Sequence, residues 1–503
     1  MRSLERVGAT RVPSSSENRN AFFLSHKLLG HLSLHIELIS NLNDITPYLR
    51  QQPVDLLIYD ERNGQIAAPD ALRKIRSDVA KLAELWGPDF IFPMSRVVAI
   101  LSKEHASDAF ELGRVHVRDV FIDPKSTPLV LRWIHRTLTK GIVRQERVGM
   151  ALDGGGLEGF LFQLGVLHAL EQALSGRPLD NAHSYAGVSA GAISAAMIAS
   201  KIPIEEVIKA AFGCSENLRP LKGSMLFDLA SSDIAKRLLS APLQWRGGDQ
   251  QKLLDSILQI VPTGIFKGDG LQNYFSHAFE MYGQDDNFDA IGPNLYIGAT
   301  DQDSFEHVIF GKSPYRDVSI TDALRASAAV PPFFTPKKIH DRWYIDGGIT
   351  QNCDVEQLVS DNCRLIFVID PMKPYEVNIP GAANKFGGVH NVIQMIKALI
   401  YTRFQTSMSH LTERFPDVDF IFIQPDEECA KLMRGAPMRF FVRKQIITAA
   451  YKQTLRQLRQ RHHIYQAKLQ RFGFTLAAIN ELKHLEQNPP YPLNGQKKRS
   501  GAA

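Results

Sequence analysis

Cysteine is scarce in this chain of 503 residues. Cys214, Cys353, Cys363 and Cys429 are scattered without metal-ligand spacing, which argues against a disulfide scaffold or a thiolate zinc centre and favours reduced thiols in a cytoplasmic setting. Long apolar runs are also missing. Nothing near the N-terminus resembles a secretory signal, and the one run that could be mistaken for a membrane span, 183–200, is interrupted by serines and glycines, so a buried helix is expected there. Charge of one sign is not in large excess. A net charge of +5 permits contact with an anionic lipid surface and gives no reason to expect nucleic acid as a partner. With 44% hydrophobic and 22% charged residues, the chain reads as an ordinary globular protein of two or three domains.

Residues 1–20, with Ser14, Ser15, Ser16 and four arginines, read as a flexible tail. Over 21–143 strand-like and helix-like stretches alternate: strands near 21–24, 34–39, 54–59, 97–101 and 117–122, and helices near 44–51, 69–85, 108–113 and 127–138. Repeated β then α predicts a parallel, flavodoxin-like sheet. The run from Asp55 to Asp60 and the order of the later pieces resemble the receiver domain of two-component signalling, with Asp60 at the phosphoacceptor position. Ser25 and His26 stand where that family has its acidic pair, however, and Asp123 where it has a lysine. Without a divalent ion or a cation to offset its charge, a phosphoryl group has no support here. A degenerate receiver serving control or homodimerisation is therefore expected, with no metal and no cofactor.

After a polar link, an apolar strand at 148–152 runs into Asp153-Gly154-Gly155-Gly156-Leu157-Glu158-Gly159 and then a helical pattern. Gly154, Gly156 and Gly159 match the dinucleotide fingerprint G-x-G-x-x-G, yet Asp180 lies in a Pro/Asn loop and not at a strand end, where a ribose-binding acid belongs. The same glycines also suit an oxyanion site, because backbone N–H groups bare of side chains at a helix mouth converge on negative charge. Gly187-Val188-Ser189-Ala190-Gly191 follows, a G-x-S-x-G pattern suited to a strained strand-to-helix turn that presents the Ser189 hydroxyl. A serine needs a base. His307 and His340 are candidates, and the run Trp343-Tyr344-Ile345-Asp346-Gly347-Gly348 offers a carboxylate at the end of an apolar strand.

Together, the glycine loop 154–159, the elbow 187–191, the Asp346-Gly347-Gly348 turn, the block 323–334 before it and Asn352 after it resemble the patatin-like phospholipase family in order and spacing. The resemblance covers about 147–370. It implies a three-layer α/β/α hydrolase domain, at 147–375, and a Ser-Asp dyad without histidine: Ser189 as nucleophile, Asp346 as proton acceptor, and Gly154, Gly155 and Gly156 as the oxyanion hole. Glu158 departs from the basic residue usual in that loop, and Cys353 from a common proline. Residues 212–290 are expected to line an acyl channel or to form a helical insertion.

Acidic residues are absent between Cys429 and Asn480, where eleven lysines and arginines accompany an apolar stripe of Ile446, Ile447, Ala450, Tyr451, Leu455 and Leu458. This mainly helical extension, 376–486, reads equally as a peripheral membrane element or as a helix docked on the core. Residues 487–503 read as a disordered tail. The sequence thus points to a cytoplasmic serine hydrolase acting on phospholipid or another lipid ester, with a Ser-His-Asp enzyme as the rival mechanism and a scaffold with a dormant site as the rival function.

Overall fold

The computed structural model describes residues 10–12, 20–25, 33–39, 41–51, 54, 56–61, 66–86, 96–114, 117–122, 130, 134, 147–222, 228–230, 264–374, 387–415, 417–433 and 440–491. The expected helix at 127–138, apart from positions 130 and 134, and 223–227 and 231–263 of the expected channel segment lie outside them, as does the tail beyond Tyr491. The chain forms two compact units, 1–146 with 405–420 and 463–471, and 147–404 with 421–462 and 472–503.

In the first unit β1 (Thr10–Val12), β2 (Asn20–Ser25) and β3 (Ser33–Leu38) form an antiparallel sheet. Two expectations change here. Thr10–Val12 is a paired strand and not tail, and β2 and β3 are antiparallel where a flavodoxin-like order would make them parallel. The reason is length: the seven residues 26–32 cannot supply the crossover of a dozen or more that parallel neighbours require. After α1 (Ile45–Gln51), a second sheet, β4 (Leu57–Asp60), β5 (Val97–Leu101) and β6 (Asp119–Ile122), is parallel throughout. α2 (Ala68–Trp86) and α3 (Asp108–Arg114) supply its connections. Val97, Ala99 and Leu101 alternate toward Leu72, Ile75, Val79 and Leu112, as period-2 burial on one sheet face demands.

The second unit is built on an eight-stranded sheet. Its members are β7 (Arg147–Leu152), β9 (Ser184–Val188), β10 (Asn294–Asp301), β11 (His307–Phe310), β12 (Lys337–Ile339), β13 (Arg342–Asp346), β14 (Cys363–Ile369) and β15 (Asp419–Ile423), in the order β12-β13-β10-β9-β7-β14-β15 with β11 beside β10. The central strands β10, β9, β7 and β14 run parallel, and β11 and β13 pair with β10 antiparallel. The chain therefore has a mixed α/β fold with a helical C-terminal region. Between β7 and β9 lie α4 (Gly156–Ala173) and the two-residue β8 (Leu174–Ser175), which pairs with β16 (Thr475–Leu476).

α5 (Ala190–Ala199) follows β9, and all ten of its residues are buried. The run 183–200 is thus a strand and an enclosed helix, and no helix among the described residues is long and apolar enough to cross a membrane. α6 (Ile204–Phe212), α7 (Asp269–Met281), α8 (Ile320–Ser327), α9 (Val355–Ser360), α10 (Gly387–Arg414) and α11 (Glu427–Leu432) follow. α12 (Arg443–Gln460), α13 (His462–Gln470) and α14 (Ile479–Gln487) complete the chain.

The apolar stripe of α12 is spent on the core. Ile446, Ile447, Ala450, Tyr451, Leu455 and Leu458 are buried as α12 packs on α4, where Gly165 allows the backbone of Ile447 to approach closely. On its polar side Arg456 and Arg459 pair with Glu486 of α14 at 3.1 and 2.9 Å. The stripe is consequently not open to lipid. Tyr491, expected in the tail, is buried with its ring against His168, Phe212 and Tyr451.

Candidate active site

Register brings the sequence motifs to one level of the sheet. Leu152 on β7 pairs with Gly187 on β9, Val188 on β9 with Gly298 on β10, and Ala299 on β10 with Asp346 on β13. The chain leaves β7 into the glycine loop and β9 into Ser189, so both loops emerge at carboxyl ends of parallel strands, where α/β sheets place their ligands.

Ser189 sits between β9 and α5 at φ 55° and ψ −124°, a conformation rarely held by a non-glycine residue. Close packing enforces it. A side chain on Gly187 would strike the Gly191 carbonyl, and one on Gly191 would strike the Leu152 carbonyl. The Ser189 N–H donates to Ser327 Oγ at 2.8 Å, and that hydroxyl donates to the Gly298 carbonyl at 2.6 Å. The elbow is thereby tied to α8 and β10.

The Ser189 hydroxyl stands beside the carboxylate of Asp346, close enough to favour its ionised form. Asp346 also accepts the Gly348 N–H at 2.8 Å, and Thr300 Oγ1 donates to its main-chain carbonyl at 3.0 Å. Gly347 has no room for a side chain against the Gly298 carbonyl, which lets the turn lie flat on β10. Burial raises the Asp346 pKa to about 6; the hydrogen bonds from Ser189 and Gly348 oppose the rise, and the charge of Asp153 adds to it. A buried carboxylate with that affinity for protons is a far better base than an exposed one.

The glycine loop meets the same point. A side chain on Gly154 would touch Ser189 Cβ, whereas Gly156 faces open space. Gly155, at φ 143°, lies where a side chain would run into Pro371. The Gly154 N–H is already donated to Asp153 Oδ1 at 2.7 Å. Gly155 and Gly156 stand at the N-terminus of α4, where backbone N–H groups lack intrahelical acceptors and the helix dipole is positive. Gly159 packs against Pro371, and Glu158 is buried in the first turn of α4.

Sequence reasoning missed one network. Asp153 Oδ2 accepts from Asn352 Nδ2 at 2.8 Å, and Asn352 Oδ1 accepts from Arg403 Nε at 2.8 Å. Arg403, on α10, also donates to the carbonyls of Ile349 at 2.7 Å and Gly348 at 2.6 Å. One guanidinium thus fixes both the turn after Asp346 and, through Asn352 and Asp153, the start of the glycine loop. Burial raises the pKa of Asp153, and the bonds from Asn352 and Gly154 and the charge of Arg403 oppose the rise.

Among the described residues no histidine is hydrogen-bonded to the serine hydroxyl. His307 Nε2 is 2.7 Å from Asp354 Oδ1 and its Nδ1 is 2.9 Å from Thr350 Oγ1, while His340 is exposed, 3.9 Å from Asp317. Asp180, the acid the dinucleotide reading would need, lies in a 3₁₀ turn and pairs with Lys201 at 3.6 Å. All four cysteines are free thiols.

A serine on a strained elbow, a buried carboxylate and a glycine-lined helix mouth carry the order and spacing of one family, and the family model described as patatin-like phospholipase matches residues 150–359. That segment belongs to the patatin-like phospholipase family. The patatin-like domain spans β7 to α9 and holds Ser189, Asp346 and the glycine loop, while Arg403 lies beyond it. Among solved structures, VipD from Legionella pneumophila is 16% identical, with 68% of this chain and 74% of that one covered at a TM-score of 0.34. No curated protein matches.

Proposed function

We propose that the chain is a serine acyl-ester hydrolase of lipids that works through a Ser189–Asp346 dyad. The observation that carries the reading is the placement of the Ser189 hydroxyl beside a buried carboxylate whose pKa burial raises to about 6. In the proposed cycle Asp346 takes the hydroxyl proton as Ser189 Oγ bonds to the ester carbonyl carbon. The resulting oxyanion is held by the N–H groups of Gly155 and Gly156 at the mouth of α4. The intermediate collapses with cleavage of the ester C–O bond, and Asp346 returns its proton to the departing alcohol. Water then attacks the acyl-enzyme, giving its proton to Asp346, and the fatty acid leaves as Ser189 recovers a proton.

Family membership supports a lipid as substrate, and the dry setting of Asp346 supports the base role. The Asp153–Asn352–Arg403 network supports an arrangement set before substrate arrives, the condition under which oxyanion donors are most effective. Release of fatty acid from phosphatidylcholine vesicles and from a p-nitrophenyl ester is the assay. Activity is expected in the wild type and not in Ser189→Ala or Asp346→Asn; a Ser189→Ala protein as active as the wild type would overturn the reading.

A further inference from the structure

Outside the patatin-like domain, the carboxyl ends of β4 and β5 bring together a second cluster. Glu61 follows β4 directly, His105 ends the 3₁₀ turn Lys103–His105 after β5, and Asp108 opens α3. One ligand atom from each of the three lies within 4.8 Å of the others. Glu61 is 7% exposed. Its Oε1 accepts the Ala68 N–H at 3.0 Å and lies 3.2 Å from His105 Nδ1.

The other oxygen of the same carboxylate makes the cluster more than an ion pair. Glu61 Oε2 is buried and has no hydrogen-bond partner among the described residues. A buried carboxylate oxygen left without a donor is costly, and its neighbours in the cluster are another carboxylate and an imidazole. Asp108 also adds a second negative charge beside Glu61, which an imidazole alone does not balance. A cation of charge two answers both deficits. Zinc-type bonds of about 2.0–2.2 Å to nitrogen and carboxylate oxygen set tetrahedral ligand atoms roughly 3.3–3.6 Å apart, inside the 4.8 Å within which these atoms lie.

We propose that Glu61, His105 and Asp108 form a binding site for one divalent transition-metal ion. One imidazole nitrogen with two carboxylate oxygens suits Zn²⁺ or Mn²⁺, while the absence of thiolate from the set disfavours Cu⁺. The ion joins the segments that follow β4 and β5, and water completes its coordination. The site is independent of the Ser189 chemistry, and its placement follows the same rule that gathers ligands at the carboxyl ends of parallel strands.

The test is equilibrium dialysis of the full chain, stripped of metal, against ZnCl₂ and separately MnCl₂, with electron paramagnetic resonance reading free Mn²⁺. One ion per chain is expected for at least one of the two metals, bound about tenfold or more weakly in His105→Ala and in Asp108→Asn. Both substitutions fall on side chains at least partly open to solvent, and a thermal melt establishes that each variant is folded. Glu61→Gln is expected to abolish the site. Equal binding in the wild type, His105→Ala and Asp108→Asn, or no binding by the wild type of either metal, would overturn the proposal and leave the Glu61–His105 contact a plain ion pair. Ester hydrolysis measured on the same samples is expected to be unchanged, so failure here is separable from failure of the hydrolase reading.

Discussion

At the carboxyl end of β9 the chain turns through Ser189 with no room for a side chain at Gly187 or Gly191, and the hydroxyl stands beside a buried carboxylate. At the carboxyl end of β4 the chain turns through Asp60 and Glu61 toward an exposed histidine. Both are ends of strands with parallel neighbours, and both gather acids. What separates them is the backbone: the first site is built by main chain pressed against main chain, which fixes a strained serine and excludes solvent, whereas the second is built by side chains across two loops. Covalent catalysis needs the first kind of order, because a nucleophile displaced by about 1 Å can lose about 10²-fold in rate. Holding an ion needs only donors within reach of one another.

The sharpest way to break the comparison is to remove chemistry at one site and read both. Ser189→Ala and Asp346→Asn are each expected to lower kcat by roughly 10⁴-fold or more, while His105→Ala leaves kcat unchanged; a fall in all three would show that the sites are not independent. Next in size is Arg403→Ala. It is expected to lower kcat about 10- to 100-fold with little change in KM, since Arg403 positions the glycine loop and the Asp346 turn without being placed to hold substrate. Arg403→Lys should recover only part, because an ammonium cannot reproduce the planar set of three bonds. A change in KM alone would count against that role.

The pH dependence comes next. As the proposed base, Asp346 would act only when ionised, so kcat should rise with pH through about 6 and at pH 5 should stand at roughly a tenth of its plateau. The same raised pKa means that the folded state holds this proton more tightly than the unfolded one. Its ionisation therefore costs stability as pH rises from the ordinary carboxylate range to about 6. Asp346→Asn is accordingly expected to be inactive yet more stable at pH 7, by on the order of 1–3 kcal/mol in a denaturant melt. Smallest in scope, Gly165→Val should destabilise the second unit by about 1–3 kcal/mol through overpacking against Ile447 and Ala450. A neutral result there would deny that α12 is docked on α4.

How much of this was legible in the sequence differs by range. Ser189, its two glycines and the Asp346 turn announce themselves within five or six residues, because local sterics dictate glycine at each close approach. The parallel sheets were legible from alternating apolar strands and helices. The antiparallel pairing of β2 and β3 was not, since it depends on the shortness of 26–32 and not on pattern. An amphipathic stripe such as that of α12 looks the same whether a bilayer or α4 receives it, and only the buried Ile447 against Gly165 distinguishes them. Arg403 gave no signal at all. It lies 51 residues after Asn352 on a helix outside the patatin-like segment, and its function is visible only as three hydrogen bonds. The engagement of the Gly154 N–H by Asp153 is likewise a matter of side-chain conformation, and it narrows the expected oxyanion donors to Gly155 and Gly156.

The central claim is that a carboxylate, and no histidine, activates Ser189. Labelling with a fluorophosphonate tests it most directly, with the rate followed in wild type, Asp346→Asn and His307→Ala. The account predicts rapid labelling of wild type and His307→Ala and loss of labelling in Asp346→Asn. Rapid labelling of Asp346→Asn with loss in His307→Ala would contradict it.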